Sequence, residues 1–126
     1  MCSSVENYES FWSCCVDKNK RGLNGVVTYV KIGLTVSVDS CPLKSPDLDE
    51  QGRCIMTDHG KFVLFNVYVP AGGGQPLSYK MKFLNALRRA MNDQRKRGKA
   101  VILVGDLNIS HTKHDKVWSS RVLFVN

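Results

Sequence analysis

Apolar positions change their period along this chain, and each change marks an element. Val26, Val27, Tyr29 and Val30 form a β-branched and aromatic run after Gly22 and Gly25, which predicts a strand over 26–31 entered through a turn. Leu34, Val36 and Val38 alternate with Thr35 and Ser37, the period-two pattern of a half-buried strand. A shorter strand is expected over 53–57, after Gly52. The nearly continuous apolar run 62–69 predicts a central strand buried on both faces. The period then lengthens. Leu77, Met81, Leu84, Leu87 and Met91 recur at three- and four-residue steps and line one side of a helix, with Pro76 suited to its first turn and Gly98 to its end. Residues 100–104 return to a buried strand that stops at Gly105. Between these elements, residues 39–52 carry Pro42, Pro46 and the acids Asp39, Asp47, Asp49 and Glu50, and are expected to be an exposed loop.

Strand, helix and strand in that order make a crossover between parallel strands, whereas the earlier strands have short connections and suit antiparallel pairing. The expected fold class is therefore α/β or α+β, a layered domain with a mixed β-sheet and a crossover helix. The run Gly105, Asp106, Leu107, Asn108 falls just past the carboxyl end of a buried strand, where open α/β sheets place their ligands.

Composition adds a sign and a size. The 126 residues fit one domain, and 18 Lys and Arg against 11 Asp and Glu give a net charge of +7. Such a balance suits a polyanionic partner, with a merely solubilising surface as the alternative. Lys80, Lys82, Arg88, Arg89, Arg95, Lys96 and Arg97 make the outer side of the helix basic. The five cysteines are odd in number and lack a C-x-x-C, so free thiols in a reducing compartment are expected. Residues 1–12 carry three Ser and two Glu and no apolar core of a signal peptide. No stretch is apolar for long enough to cross a bilayer. The expectation is an intracellular chain with no membrane partner.

Asp106 and Asn108 lie two apart, so in extended chain both would point the same way. A carboxylate beside a carboxamide can orient a water, take its proton and offer hard oxygen ligands to magnesium. Equally, the pair can close an Asx-type turn, and on four residues alone that local reading is the weightier. His111, His114 and Asp115 follow, but the further ligands of a zinc site are missing at convincing spacing; His111 fits better as support for the loop. Tyr68, near the end of the central strand, can donate to a phosphate oxygen or be a core tyrosine satisfied at the rim. Arg53 can grip a phosphate or pair with a nearby acid.

Taken together these segments resemble the exonuclease III class of apurinic/apyrimidinic endonucleases, in the endonuclease/exonuclease/phosphatase superfamily. Phe11-Trp12-Ser13 is similar to that class's aromatic-Trp-Ser strand, and Gly22-Leu23-Asn24-Gly25-Val26 to its Gly-Tyr-Ser-Gly-Val turn. Asp49-Glu50-Gln51-Gly52-Arg53 resembles its Glu-Gly-Arg run, with Gln51 in place of Glu. Asn66 to Pro70 resembles its Asn-Val-Tyr-x-Pro strand end, and Gly105 to Asp115 its Gly-Asp-Leu-Asn-x-x-His signature. Gly74-Gln75-Pro76, followed by Tyr79-Lys80-Met81-Lys82-Phe83, leans toward the second eukaryotic type, apurinic/apyrimidinic endonuclease 2.

The resemblance implies a four-layer α/β sandwich, Mg2+ or Mn2+, and hydrolysis of the DNA backbone 5′ to abasic sites, with trimming of blocked 3′ ends. It implies Asp106 as the group that deprotonates the attacking water and Asn108 as the group that positions it, either of them able to touch the metal. It implies Tyr68 as a hydrogen-bond donor to the scissile phosphate, Arg53 as a DNA-side contact, and a nuclear place of work. It also sets a boundary. The class's first metal-ligand strand, its metal-binding Glu and its terminal Ser-Asp-His have no counterpart in residues 1–126, and residues 116–126 do not resemble it. The expectation is a central portion of the domain, inactive by itself. Other branches of the superfamily (retroelement endonucleases, deadenylases, inositol phosphatases) share the Gly-Asp-x-Asn core, and a non-catalytic nucleic-acid-binding chain is the alternative from another class.

Overall fold

The computed structural model describes residues 5–17, 20, 22–73 and 75–110. Two antiparallel strands open the fold, β1 (Tyr8–Cys14) and β2 (Gly25–Lys31), paired from Tyr8 opposite Lys31 to Cys14 opposite Gly25. A second sheet follows, in the order β3 (Ser37–Asp39), β4 (Cys54–Asp58), β5 (Phe62–Tyr68), β6 (Ala100–Asp106). The β3–β4 and β4–β5 pairs are antiparallel, while β5 and β6 are parallel and joined through the helix α2 (Leu77–Lys96). A short helix α1 (Pro46–Asp49) sits in the β3–β4 connection. The mixed sheet and crossover helix are as the periodicity predicts.

Burial alternates strictly along β5. Val63, Phe65 and Val67 are buried, while Phe62, Leu64, Asn66 and Tyr68 are only partly so. The run is therefore not a strand buried on both faces. One face packs on α2 in a cluster with Leu43, Leu48, Cys54, Met56, Phe83, Ala86 and Leu87. The other meets the β1–β2 hairpin, where the Asn66 side-chain amide donates to the carbonyl of Val27 at 2.8 Å and to the Thr28 hydroxyl at 3.3 Å. An Asn within an apolar run is thus the register pin between the two sheets, satisfied by backbone rather than left to pay for its desolvation.

Three other expectations change. The packed stripe of α2 is Tyr79, Phe83, Ala86, Leu87 and Ala90, with Leu84 and Met91 at its border, whereas Leu77 and Met81 are 50% and 42% exposed. The sequence stripe is rotated because Ala86 and Ala90, small residues, let the helix axis approach the sheet and Phe83 fill the gap completely; burial of that ring contributes about 2–3 kcal/mol. The alternating segment 34–38 contributes only the short β3, and Leu34 and Val36 are exposed. Residues 39–52 are not merely a surface loop. Leu43 and Leu48 enter the core, and the buried Asp49 accepts hydrogen bonds from the backbone N–H groups of Leu43 and Ser45, at 3.1 and 2.9 Å. Cys14, Cys15, Cys41 and Cys54 are free thiols, and burial pushes the Cys54 thiol far above its ordinary range.

Candidate active site

The parallel β5–β6 ladder pairs Tyr68 directly with Asp106. Residues opposed in a ladder present their side chains on one face, and this pair lies on the hairpin side of the sheet, opposite α2. The ladder continues one step beyond the pair, where the N–H of Val69 donates to the Asp106 carbonyl at 2.9 Å. Gly105 makes the approach possible. Its φ is +115°, and a Cβ there would lie 2.0 Å from the Val67 carbonyl oxygen, so no other residue fits without displacing the strand.

Past the strand the chain turns at once. One carboxylate oxygen of Asp106, Oδ1, accepts from the N–H of Asn108 at 2.9 Å, an Asx-type turn, and Asn108 takes a left-handed φ of +48°. Asn108 Nδ2 donates to the Val69 carbonyl at 2.9 Å, and Lys80 Nζ, from the first turn of α2, donates to the Asn108 carbonyl at 2.6 Å. The backbone N–H, backbone C=O and amide of Asn108 are all engaged, which over-determines a conformation that a non-glycine residue seldom holds. The local-turn and chemical readings of the pair are therefore compatible. The turn uses one oxygen of the Asp106 carboxylate and the nitrogen of the Asn108 amide, and these are not the atoms a water or cation would need. Lys80 belongs to this arrangement, and sequence alone placed it only on the exposed basic side of the helix; its position in the turn after Pro76 was the available signal.

Arg53 comes in from β4's leading edge. It is buried, with its guanidinium carbon 4.7 Å from the centroid of the Tyr68 ring. Its Nη1 donates to the Tyr68 carbonyl at 3.3 Å, and the Tyr68 N–H donates to the Arg53 carbonyl at 2.8 Å. Tyr79 of α2 lies nearby. Its burial pushes the phenol above the ordinary value, an effect that the positive charge of Arg53 partly opposes. Of the sequence-predicted residues, then, Tyr68, Asp106, Asn108 and Arg53 fall at one end of the β5–β6 pair. His111, His114 and Asp115 lie outside the described residues.

A divalent cation is the group the resemblance calls for. Asp106 Oδ2 and Asn108 Oδ1 are oxygen donors of the kind that magnesium takes, usually one or two protein ligands with water and phosphate completing the octahedron. In kind they fit. In number they make a partial shell, and no group of three or more His, Cys, Asp or Glu gathers among the described residues.

Comparison with known proteins gives the family. Residues 4–123 match the model of the endonuclease/exonuclease/phosphatase family. The chain belongs to that family. It is 42% identical over 64 residues to the DNA-(apurinic or apyrimidinic site) endonuclease 2 of Schizosaccharomyces pombe, covering 49% of this chain and 12% of the relative. It is 30% identical over 112 residues to the recombination repair protein 1 of Drosophila melanogaster, covering 88% of this chain and 16% of that protein. Among solved structures, the 3′ phosphatase NExo (D146N) from Neisseria, bound to a product DNA hairpin, superposes with a TM-score of 0.65 at 22% identity, over 85% of this chain and 40% of that one. At that identity the superposition establishes the fold alone. The chain thus spans well under half the length of these relatives.

Proposed function

We propose that this chain carries the water- and phosphate-handling end of a DNA repair phosphodiesterase site, in a central portion of the family's domain. The reading's substrate is DNA with abasic sites or blocked 3′ ends, and its setting is the nucleus. The observation that carries it is the direct pairing of Tyr68 with Asp106, with Asn108 locked one turn further on. A phenol and a carboxylate side by side give one donor for a non-bridging phosphate oxygen and one base for the attacking water. Asn108 Oδ1 orients that water. Magnesium or manganese, held in part by Asp106 and Asn108, would supply charge neutralisation at the phosphate. The Lys80 ammonium and the Arg53 guanidinium place positive charge at the same end of the sheet, where a polyanion is attracted.

The test is binding and incision by the purified chain with a duplex bearing one abasic site, in Mg2+, against the undamaged duplex. Tighter binding to the abasic duplex, weakened by Tyr68→Phe and by Asp106→Asn, supports the reading. Equal binding to both duplexes, indifferent to these substitutions but steeply salt-dependent, refers the chain to non-catalytic nucleic-acid binding through its basic helix. Incision is expected to be undetectable with this chain alone, because the described residues supply only part of a metal shell. Incision abolished by Asp106→Ala would show the site to be complete.

A further inference from the structure

Arg53 is a buried cation with an unusual set of partners. The turn before it is pinned: Gly52 has φ +65°, and a Cβ there would lie 2.3 Å from the backbone of Cys14 and Cys15 at the end of β1. Arg53 itself is 9% exposed. Among the described residues no carboxylate stands within ion-pair distance of it. Asp49, four residues earlier, uses both oxygens on the N–H groups of Leu43 and Ser45. Burying a charge without a counter-ion is costly, and an apolar side chain would fill this space more cheaply if filling were all that mattered. What the guanidinium does have is Tyr68. It lies over the ring, Nη1 donates to the Tyr68 carbonyl, and the Arg53 carbonyl accepts from the Tyr68 N–H.

We propose that Arg53 is a positioning residue, whose guanidinium holds the Tyr68 ring in the orientation that aims its hydroxyl across the strand ends toward Asp106. The inference rests on the reading of Tyr68 as the phosphate donor. A tyrosine at a strand end has two free torsions, and backbone pairing fixes neither. A flat guanidinium can stack on the ring and donate in its own plane to a carbonyl at the same time, which an ammonium, a point charge, cannot. Arginine rather than lysine is therefore required.

Two measurements on the full chain test this. With 13C-labelled tyrosine rings, and the Tyr68 signal assigned by Tyr68→Phe, Arg53→Met is expected to shift the Tyr68 resonances while those of Tyr8 and Tyr29 stay in place, and Arg53→Lys is expected not to restore them. Unchanged Tyr68 signals would overturn the proposal. Should Arg53→Met fail to fold, Arg53→Lys together with ring-to-guanidinium NOEs in the unaltered chain decides the same point. The second measurement is affinity for the abasic duplex in a double-mutant cycle. Arg53→Met and Tyr68→Phe are each expected to weaken binding about tenfold, and the double variant no more than either single one, as for residues that act as a unit. Additive losses, the sign of independent roles, would also overturn it. A chain with no preference for the abasic duplex defeats the functional reading of Tyr68 instead, and the ring signals then still report whether Arg53 sets the ring.

Discussion

Tyr68 and Asp106, 38 positions apart in sequence, are ladder partners at the carboxyl ends of two parallel strands, and the carbonyl of Asp106 is bonded to the residue that follows Tyr68. The relationship depends on the crossover helix and on one glycine. α2 returns the chain so that β6 runs beside β5 in the same direction, and Gly105 allows the last step of β6 to close on Val67. The site is therefore a property of the sheet rather than of either loop.

Gly105→Ala should separate the two halves of that pair. The added Cβ meets backbone rather than a movable side chain, and the residue would keep a positive φ, so a loss of about 3 kcal/mol or more is expected in urea unfolding. Loss of the backbone N–H protection of Val69 in hydrogen exchange should accompany it. A variant with wild-type stability and unchanged protection at Val69 would show that the close approach is not real.

The Asn108 turn predicts an order among substitutions. Asn108→Gly keeps the left-handed backbone without strain and loses only the amide bond to Val69, whereas Asn108→Ala loses the same bond and adds strain at φ +48°. The alanine variant should be the less stable by about 1 kcal/mol. Lys80→Met should loosen the turn with little global effect, seen as faster amide exchange at Asn108 and not in β5. Equal stability of the glycine and alanine variants would count against the over-determined turn.

How much of this was legible in the sequence follows from the kind of force involved. Period and turn residues are local, so the strand 62–69, the long helix and the parallel return to 100–104 could be read directly, and with them the placing of Tyr68 near Asp106. The face that α2 buries is only partly the expected one: Leu84, Leu87 and Met91 pack on the core, while Leu77 and Met81 stay exposed. Hydrophobicity favours Leu77 and Met81, whereas close packing favours Ala86 and Ala90, and only the opposing sheet decides between them. Asp49 reads as a loop acid because nothing local reveals that it will anchor the 43–45 backbone. Arg53 and Lys80 owe their places to contacts 15 and 28 residues away, which no window of sequence contains.

Acid should weaken the far end of the sheet. Lys99 Nζ donates to Asp58 Oδ1 at 2.9 Å and to the Gly60 carbonyl at 2.6 Å, tying the β4–β5 turn to the start of β6. Lys99 and the Gly60 N–H together hold the Asp58 carboxyl below its ordinary value. A carboxyl whose folded value is depressed contributes stability that is fully present above its unfolded value, near 3.8, and lost as pH falls through the folded one. Lys99→Met should therefore cost about 0.5–1 kcal/mol at pH 7 and much less at an acid pH where Asp58 is protonated in the folded chain, the pair being partly exposed and screened by salt. A loss that is the same at both pH values would assign the effect of Lys99 to its carbonyl bond alone.

The hairpin β1–β2 covers the inner face of the second sheet only in part. Leu64, Asn66 and Tyr68 on β5 share that face with Ile102, Val104 and Asp106 on β6, and the Asn66 amide reaches β2. Ile102 and Val104 remain 41% and 40% exposed, on the last strand of the sheet order. An apolar end strand with one edge unpaired among the described residues invites another strand, and natural sheets commonly block such an edge with an inward-pointing charge. The isolated chain should therefore self-associate as its concentration rises. Ile102→Lys places a charge on the uncovered face without touching Tyr68 or Asp106, and should move the sedimentation profile toward the monomer while the Asn66 bond to Val27 holds. A chain that stays monomeric over the whole accessible range, with or without the lysine, would mean that this face is covered by residues of the same chain.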